Sequence, residues 1–257
     1  MAHKTLVNGT AYEISGGRTL VDGTGYGITG GRTLVNGTGY GISFGTPISS
    51  LAVGSSVYMN VNGVRTEFLI VNQGNPDSTR YDSSCNGTWL LMKNIHDVGK
   101  WSASGNDYSA SAIHNYLQTT FLNLLDSKIV STINFVKIPY STGSAVFYGA
   151  NGVYAKSFLL SGYEVGWTTG TSSSLPVDGA CLSYFKGTDA SKLIARYNGE
   201  DVPWWLRSPR VAMNNRAWMC TESGISGYSL VSDSFGIRPT LILPSNTKIN
   251  NGRDVLA

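Results

Sequence analysis

An α+β fold preceded by short β-hairpins is what this sequence predicts, and three observations predict it. Residues 1–45 repeat a fourteen-residue unit, two helical patterns lie between Ser109 and Ile133, and the remaining apolar residues fall in short runs separated by turn dipeptides.

The repeat comes first in the chain. Lys4 to Gly17 is followed by copies from Arg18 and from Arg32. Each unit sets Asn8-Gly9, Asp22-Gly23 or Asn36-Gly37 between apolar segments, and these dipeptides accept the positive φ angles of a two-residue hairpin turn. Such a loop pairs Val7 with Thr10 and Thr5 with Tyr12, leaving apolar groups on both faces. Sheets of such short strands are marginal alone. Residues 1–45 are therefore expected to serve as an assembly or attachment segment packed between chains, in a trimer. The alternative is a meander over the ligand-binding domain expected for residues 46–257.

Beyond the junction at Pro47 to Ser56, alternation in Val57 to Val61, a turn at Asn62-Gly63 and the run Glu67 to Val71 predict a hairpin. Gly74 to Gly87 is polar and turn-rich and reads as a surface loop, whereas Trp89-Leu90-Leu91-Met92 reads as a fully buried strand. Ile113, Leu117, Phe121 and Leu124 or Leu125 recur at helical spacing behind serines able to cap, and Asp126 can cap a second short helix through Ile133. Strands are expected again at Asn134 to Pro139, Lys156 to Leu160, Trp218 to Thr221 and Leu241 to Leu243.

Only 14% of residues are charged, against roughly 25% in an average globular protein. The polar surface must come from Ser, Thr, Asn and Gly, a usage associated with extracellular or virion β-rich proteins. A net charge of +3 without a basic run gives no phosphate-tracking stripe, so nucleic acid is not an expected partner. No run approaches the roughly 18 apolar residues of a membrane span, and Met1 to Thr5 lacks an apolar signal core. The three cysteines, Cys85, Cys181 and Cys220, lack CxxC spacing and read as reduced packing residues, with one disulfide as the alternative.

Near the C-terminus, Pro203-Trp204-Trp205-Leu206-Arg207-Ser208-Pro209 and Gly236-Ile237-Arg238-Pro239-Thr240-Leu241 enclose an irregular interval rich in Asn, Ser, Gly, Tyr and Arg. Two rigid flanks hold a loosely constrained middle whose composition suits contact rather than packing. Trp204 and Trp205 are candidate stacking platforms or core residues. Arg207 and Arg238 are candidate buried tethers for loop carbonyls or a carboxylate. The flanks, together with Ile113-His114-Asn115-Tyr116-Leu117 and Phe158-Leu159-Leu160-Ser161 followed by Glu164-Val165, resemble the C-type-lectin-like domains of phage tail and bacterial surface proteins. These include the variable proteins of diversity-generating retroelements. The resemblance covers roughly residues 50–245 and implies a C-type-lectin-like fold, related to that of the formylglycine-generating enzymes.

The resemblance also implies a sorting rule. Retroelement mutagenesis replaces adenines, so a template AAC codon becomes NNC, which never encodes Met, Trp, Lys, Glu or Gln. Met213, Trp218, Met219 and Glu222 are then scaffold. Val211, Ala212, Asn214, Asn215, Arg216, Ser226, Tyr228, Ser229, Ser232 and Asp233 form the expected ligand-contact set. The implied function is a phage tail-tip receptor-binding protein that recognises a host-cell surface protein or glycan, assembles with other virion tail proteins and leaves the cell by lysis. The alternative is a bacterial surface or secreted adhesion module of fixed specificity.

Catalysis is not expected. His96-Asp97 has no Ser or Cys in a nucleophile-elbow context, and His114 lies on the helix, where a bond to a neighbour is its expected role. Calcium-lectin signatures (Glu-Pro-Asn, Gln-Pro-Asp, Trp-Asn-Asp) are missing, and Cys181 and Cys220 lack an adjacent cysteine for oxidase chemistry. No metal and no cofactor are expected. Glycine doublets such as Gly16-Gly17 read as turns rather than phosphate loops.

Overall fold

Each repeat unit forms one antiparallel hairpin: Lys4–Val7 with Thr10–Glu13, Arg18–Val21 with Thr24–Gly27, and Gly31–Val35 with Thr38–Ile42. Thr5 pairs with Tyr12 and Val7 with Thr10, in the register a two-residue loop requires, and the later copies repeat it. The turn dipeptides themselves lie outside the described residues. The computed structural model describes these six strands by their backbone, together with residues 45–144, 146–187 and 189–256.

The strands that follow the repeats begin with β1 (Ser56–Val61) and β2 (Val64–Gln73), joined by Asn62 and Gly63, which take φ angles of 50° and 77°. An Asn-Gly pair is the sequence that accepts two successive positive φ values. Next come β3 (Thr88–Met92), buried along its whole length, and β4 (Asp97–Lys100). Ser111 caps α1 (Ala112–Tyr116) through its Oγ and the His114 amide, and the helix continues as a π-turn to Phe121 and a 3₁₀ turn to Leu124. Asp126 caps α2 (Ser127–Thr132) by accepting the Lys128 amide. Then follow β5 (Val136–Ser141), β6 (Phe147–Ala155), β7 (Ser157–Phe158), β8 (Trp204–Pro209), β9 (Arg216–Cys220), β10 (Ser226–Leu230), β11 (Ser234–Ile237) and β12 (Thr240–Leu243).

Two five-stranded sheets, in the orders β7-β12-β3-β2-β1 and β4-β11-β8-β9-β10, hold all of these strands but β5 and β6, which pair with each other. The first is anchored by Trp89 on β3, whose indole meets Tyr81 and Phe158 edge-on with centroids 5.6 and 5.5 Å apart. The second is anchored by Trp204 and Trp205, both fully buried, whose indole nitrogens donate to Leu193 O (2.7 Å) and Gly99 O (3.0 Å). Burying an indole with its N–H satisfied keeps the apolar gain without a desolvation loss.

The α+β class is corrected by this architecture. With 37% strand against 17% helix, the protein is mainly β. The C-type-lectin-like description attached to that class goes with it. The cause is specific: the helical pattern supports only the short segments around α1 and α2, and much of the polar sequence read as loop is strand. The interval between the Trp-Trp and Ile-Arg-Pro flanks is the clearest case, since besides the strand expected at Trp218 to Thr221, found as β9, it holds β10 and the start of β11. The Gly74 to Gly87 loop is likewise not wholly at the surface, because Tyr81 and Cys85 are buried.

Candidate ligand-binding surface

The scaffold is built around Arg207. Strand β8 keeps register with β9 at Trp204–Cys220 and Trp205–Met219, then slips before Pro209 meets Ala217. Within that bulge the Arg207 amide donates to Leu160 O (2.9 Å) and the side chain turns inward. Its guanidinium donates to Pro139 O (2.9 Å), Leu159 O (2.9 Å) and Asp178 O (3.1 Å), and binds both oxygens of Glu164, with Nη2 to Oε1 at 2.6 Å. Tyr81 Oη (2.7 Å) and the Ser161 amide (2.9 Å) also donate to Glu164. Arg207 and Glu164 are fully buried and mutually satisfied, which is the condition under which a buried ion pair is tolerated. Arg238 sits 4.8 Å over the Trp204 ring and donates to Met92 O and Lys93 O, both at 2.9 Å. Burial lowers its pKa to about 10.

The outer end of the sheet is the turn from Arg210 to Arg216, and Asn106 clamps it. This buried amide donates to the carbonyls of Arg210 (3.2 Å), Met213 (2.8 Å) and Arg216 (2.8 Å). Gly143 packs so closely on Asn106 that a Cβ would lie 2.1 Å from its Oδ1, and Gly143 O accepts the Ala212 amide (3.1 Å). Ala212 itself takes a φ of 63°, a left-handed conformation held by these contacts. The next turn is tied in by the Val231 amide to Asn215 O (2.9 Å) and the Ser102 amide to Val231 O (3.0 Å). The middle is therefore firmly held, contrary to the expectation of a loosely constrained interval.

None of the ten expected contact residues is buried: Ala212, Asn214, Asn215, Tyr228 and Ser232 are exposed and the other five partly so. They do not form one continuous patch. Asn214, Asn215 and Ser232 line a depression of about 410 Å³, and Ala212 and Asn214 an adjoining one of about 810 Å³. Arg216 and Tyr228 lie on the same face of the β9–β10 ribbon as the buried Trp218, whose ring meets Tyr228 edge-on at 5.6 Å. Ser229 is on the opposite face and donates to Asp233. Ser226 lies at the far end, against a separate cleft of about 240 Å³ lined by Trp167, Phe185, Leu193 and Ile225. Val211 lines a further depression together with Phe147 and Val177. Of the four residues sorted as scaffold, Trp218 is buried and Met219 partly so, but Met213 and Glu222 are exposed. Codon constraint and burial are different properties, and these two have only the first.

Sequence reasoning missed Asn106 and Arg210. Arg210 immediately follows the Trp-Trp flank and lies 4.1 Å over Tyr228, so adjacency to that flank was an available signal. Asn106 is joined to the turn only through the fold.

Titratable groups are concentrated in the scaffold. Asp178 is fully buried, and burial raises its pKa to about 6 against the pull of Arg207 and of the Ser208 hydroxyl. Burial lowers His114 to about 4, and its Nδ1 has no partner among the described residues, contrary to the neighbour bond expected of it. His96 is also lowered by burial and stacks edge-on against Phe121 at 5.0 Å, while Asp97 accepts from Tyr116. Cys85, Cys181 and Cys220 are free thiols, with Cys181 partly exposed, and burial pushes Cys85 up to about 12. Among the described residues no group of three or more His, Cys, Asp or Glu side chains is placed to hold a metal ion, and no helix is long and apolar enough to cross a membrane.

Residues 86–245 match the family model described as a domain of unknown function, DUF6273. The match begins just before β3 and ends just after β12, so it takes in the whole second sheet and the clamp at Asn106. No curated protein and no solved structure matches the chain.

Proposed function

The chain belongs to the DUF6273 family, and on that footing we propose that it is a non-enzymatic phage tail-tip receptor-binding protein whose ligand is read at the β8–β9 and β10–β11 turns. The resemblance of the Trp-Trp-Leu-Arg-Ser-Pro and Gly-Ile-Arg-Pro flanks to phage tail proteins supplies the virion setting. One observation carries the reading: the ten residues of the expected contact set are all exposed or half-exposed, while Ala217, Trp218, Cys220 and Val231, interspersed among them, are buried. Variation at the first set leaves the core untouched. The most strongly perturbed carboxyl and phenol, Asp178 and Tyr81, are sealed in the scaffold, out of reach of a substrate.

A standard interface engages roughly 20–30 residues a side, so the few positions gathered at the β8–β9 and β10–β11 turns make a small patch of modest affinity per copy. Assembly of chains through the repeats, in a trimer, supplies avidity of about 10²- to 10⁴-fold. The test is capture of the host cell surface by a quadruple variant, N214A/N215A/R216A/Y228A. Capture is expected to be lost with only a small change in melting temperature, as for other surface substitutions. Retained capture would place the ligand site elsewhere on the molecule.

A further inference from the structure

Resting on that reading of the surface, we infer that the group it recognises is an anion, a carboxylate or phosphate carried on a surface polysaccharide, bound by Arg210 and Arg216. The two guanidinium groups lie over the same ring, 4.1 and 5.7 Å from the Tyr228 centroid. Arg65, Arg80, Arg196 and Arg207 each face a carboxylate. Arg210 and Arg216 face none among the described residues. Arg210 keeps a buried Nε with no acceptor and directs Nη1 only at the neutral sulfur of Met213. Among the described residues Arg216 meets the Tyr228 ring and has no side-chain acceptor. The nearby carboxylate of Asp233 is taken by Ser229 on the opposite face of the ribbon.

Two like charges gathered on one ring repel, and nothing in the described protein offsets them. An aromatic face orients a guanidinium while leaving its N–H edge free, and that fork matches a carboxylate or phosphate with two parallel hydrogen bonds. Tyr228 is therefore a strut that presents the cations rather than an open platform for a sugar ring. The polysaccharide follows from what adjoins them: Asn214, Asn215, Ser104 and Ser232 line an open depression of about 410 Å³ and offer amide and hydroxyl groups suited to sugar hydroxyls, whereas the apolar cleft at Ser226 lies at the other end of the ribbon.

The test is calorimetric titration of the full chain with oligogalacturonate, with a glycerol-phosphate oligomer and with a neutral maltooligosaccharide. At least one anionic probe is expected to bind, the neutral one not to, and which anion binds separates the carboxylate source from the phosphate. R216Q should weaken binding at least about tenfold, and R210Q/R216Q should abolish it. If R210Q lowers the melting temperature, R216E on its half-exposed side chain carries the same test. Failure of both anionic probes, binding indifferent to the arginines, or competition by polyglutamate alone would overturn the inference. Host capture distinguishes the two levels: sensitivity to N214A/N215A but not to R210Q/R216Q removes the anion and keeps the surface, whereas indifference to all four removes the surface as well.

Discussion

Replacing Arg207 with alanine should destabilise the protein by about 3–5 kcal/mol, the range for breaking one side of a buried ion pair. The loss has two parts. Glu164 is left as a buried carboxylate without its cation, and the carbonyls of Pro139, Leu159 and Asp178 lose a donor in a dry interior. R207K should recover only part of this, because one ammonium cannot reproduce the fork to both Glu164 oxygens. The double variant R207A/E164Q should be less unstable than the two single losses added together, since each group is costly chiefly when the other is gone. Chemical denaturation of the wild type, R207A, R207K, E164Q and R207A/E164Q measures this directly. Additive losses would mean that the pair is not a coupled unit.

A second large effect is hidden in the wild-type protein by cancellation. Asp178 has a folded-state pKa of about 6 against an ordinary 3.8, so its contribution to stability is full below pH 3.8 and is lost as pH rises through 6. His114 has a folded-state pKa of about 4 against an ordinary 6.5, so its contribution is present above pH 6.5 and lost as pH falls through 4. Each shift of about two units corresponds to about 3 kcal/mol. The slopes oppose one another across pH 4 to 6, with His96, also lowered, adding to the histidine side. D178N should therefore be more stable than wild type near neutrality and show stability rising with pH from 4 to 6. H114L should show the reverse slope. Urea midpoints at pH 4, 5, 6 and 7 test both, and parallel profiles for the three proteins would rule out these two groups as the source.

The parts of the fold legible in the sequence are those where local chemistry and tertiary packing agree. Asn62-Gly63 can hardly do other than turn a hairpin, Ser111 and Asp126 cap the helices that follow them, and Trp89 to Met92 lacks any polar face. The repeat register followed from loop length alone. Arg207 and Arg238 were legible as tethers because one arginine sits in each apolar, proline-containing flank, and both are buried and bonded to carbonyls. Strand β9 was legible in part, at Trp218 to Thr221, but its partner β10 was not, because Ser226, Gly227 and Ser229 interrupt the apolar alternation and the buried side of the ribbon is carried by Trp218 and Cys220 on β9. Glu164 and Asn106 are isolated polar residues in sequence. Their meaning comes from partners 43 and 104 to 110 positions away, and no local pattern encodes such a meeting. The contact set was legible as exposed, but its division between the turns, the two ribbon faces and the Ser226 cleft depended on strand register.

The central claim is that a firmly held scaffold carries a surface free to vary, and the direct measurement is deep sequencing of the codons for Trp204 to Leu243 across a population carrying the gene. Substitutions are expected at adenine-derived positions between Val211 and Asp233 whose side chains are exposed or half-exposed, with Trp204, Trp205, Arg207, Trp218 and Arg238 constant. A uniform sequence, or changes spread evenly over buried and exposed codons, would contradict it and leave a binding module of fixed specificity.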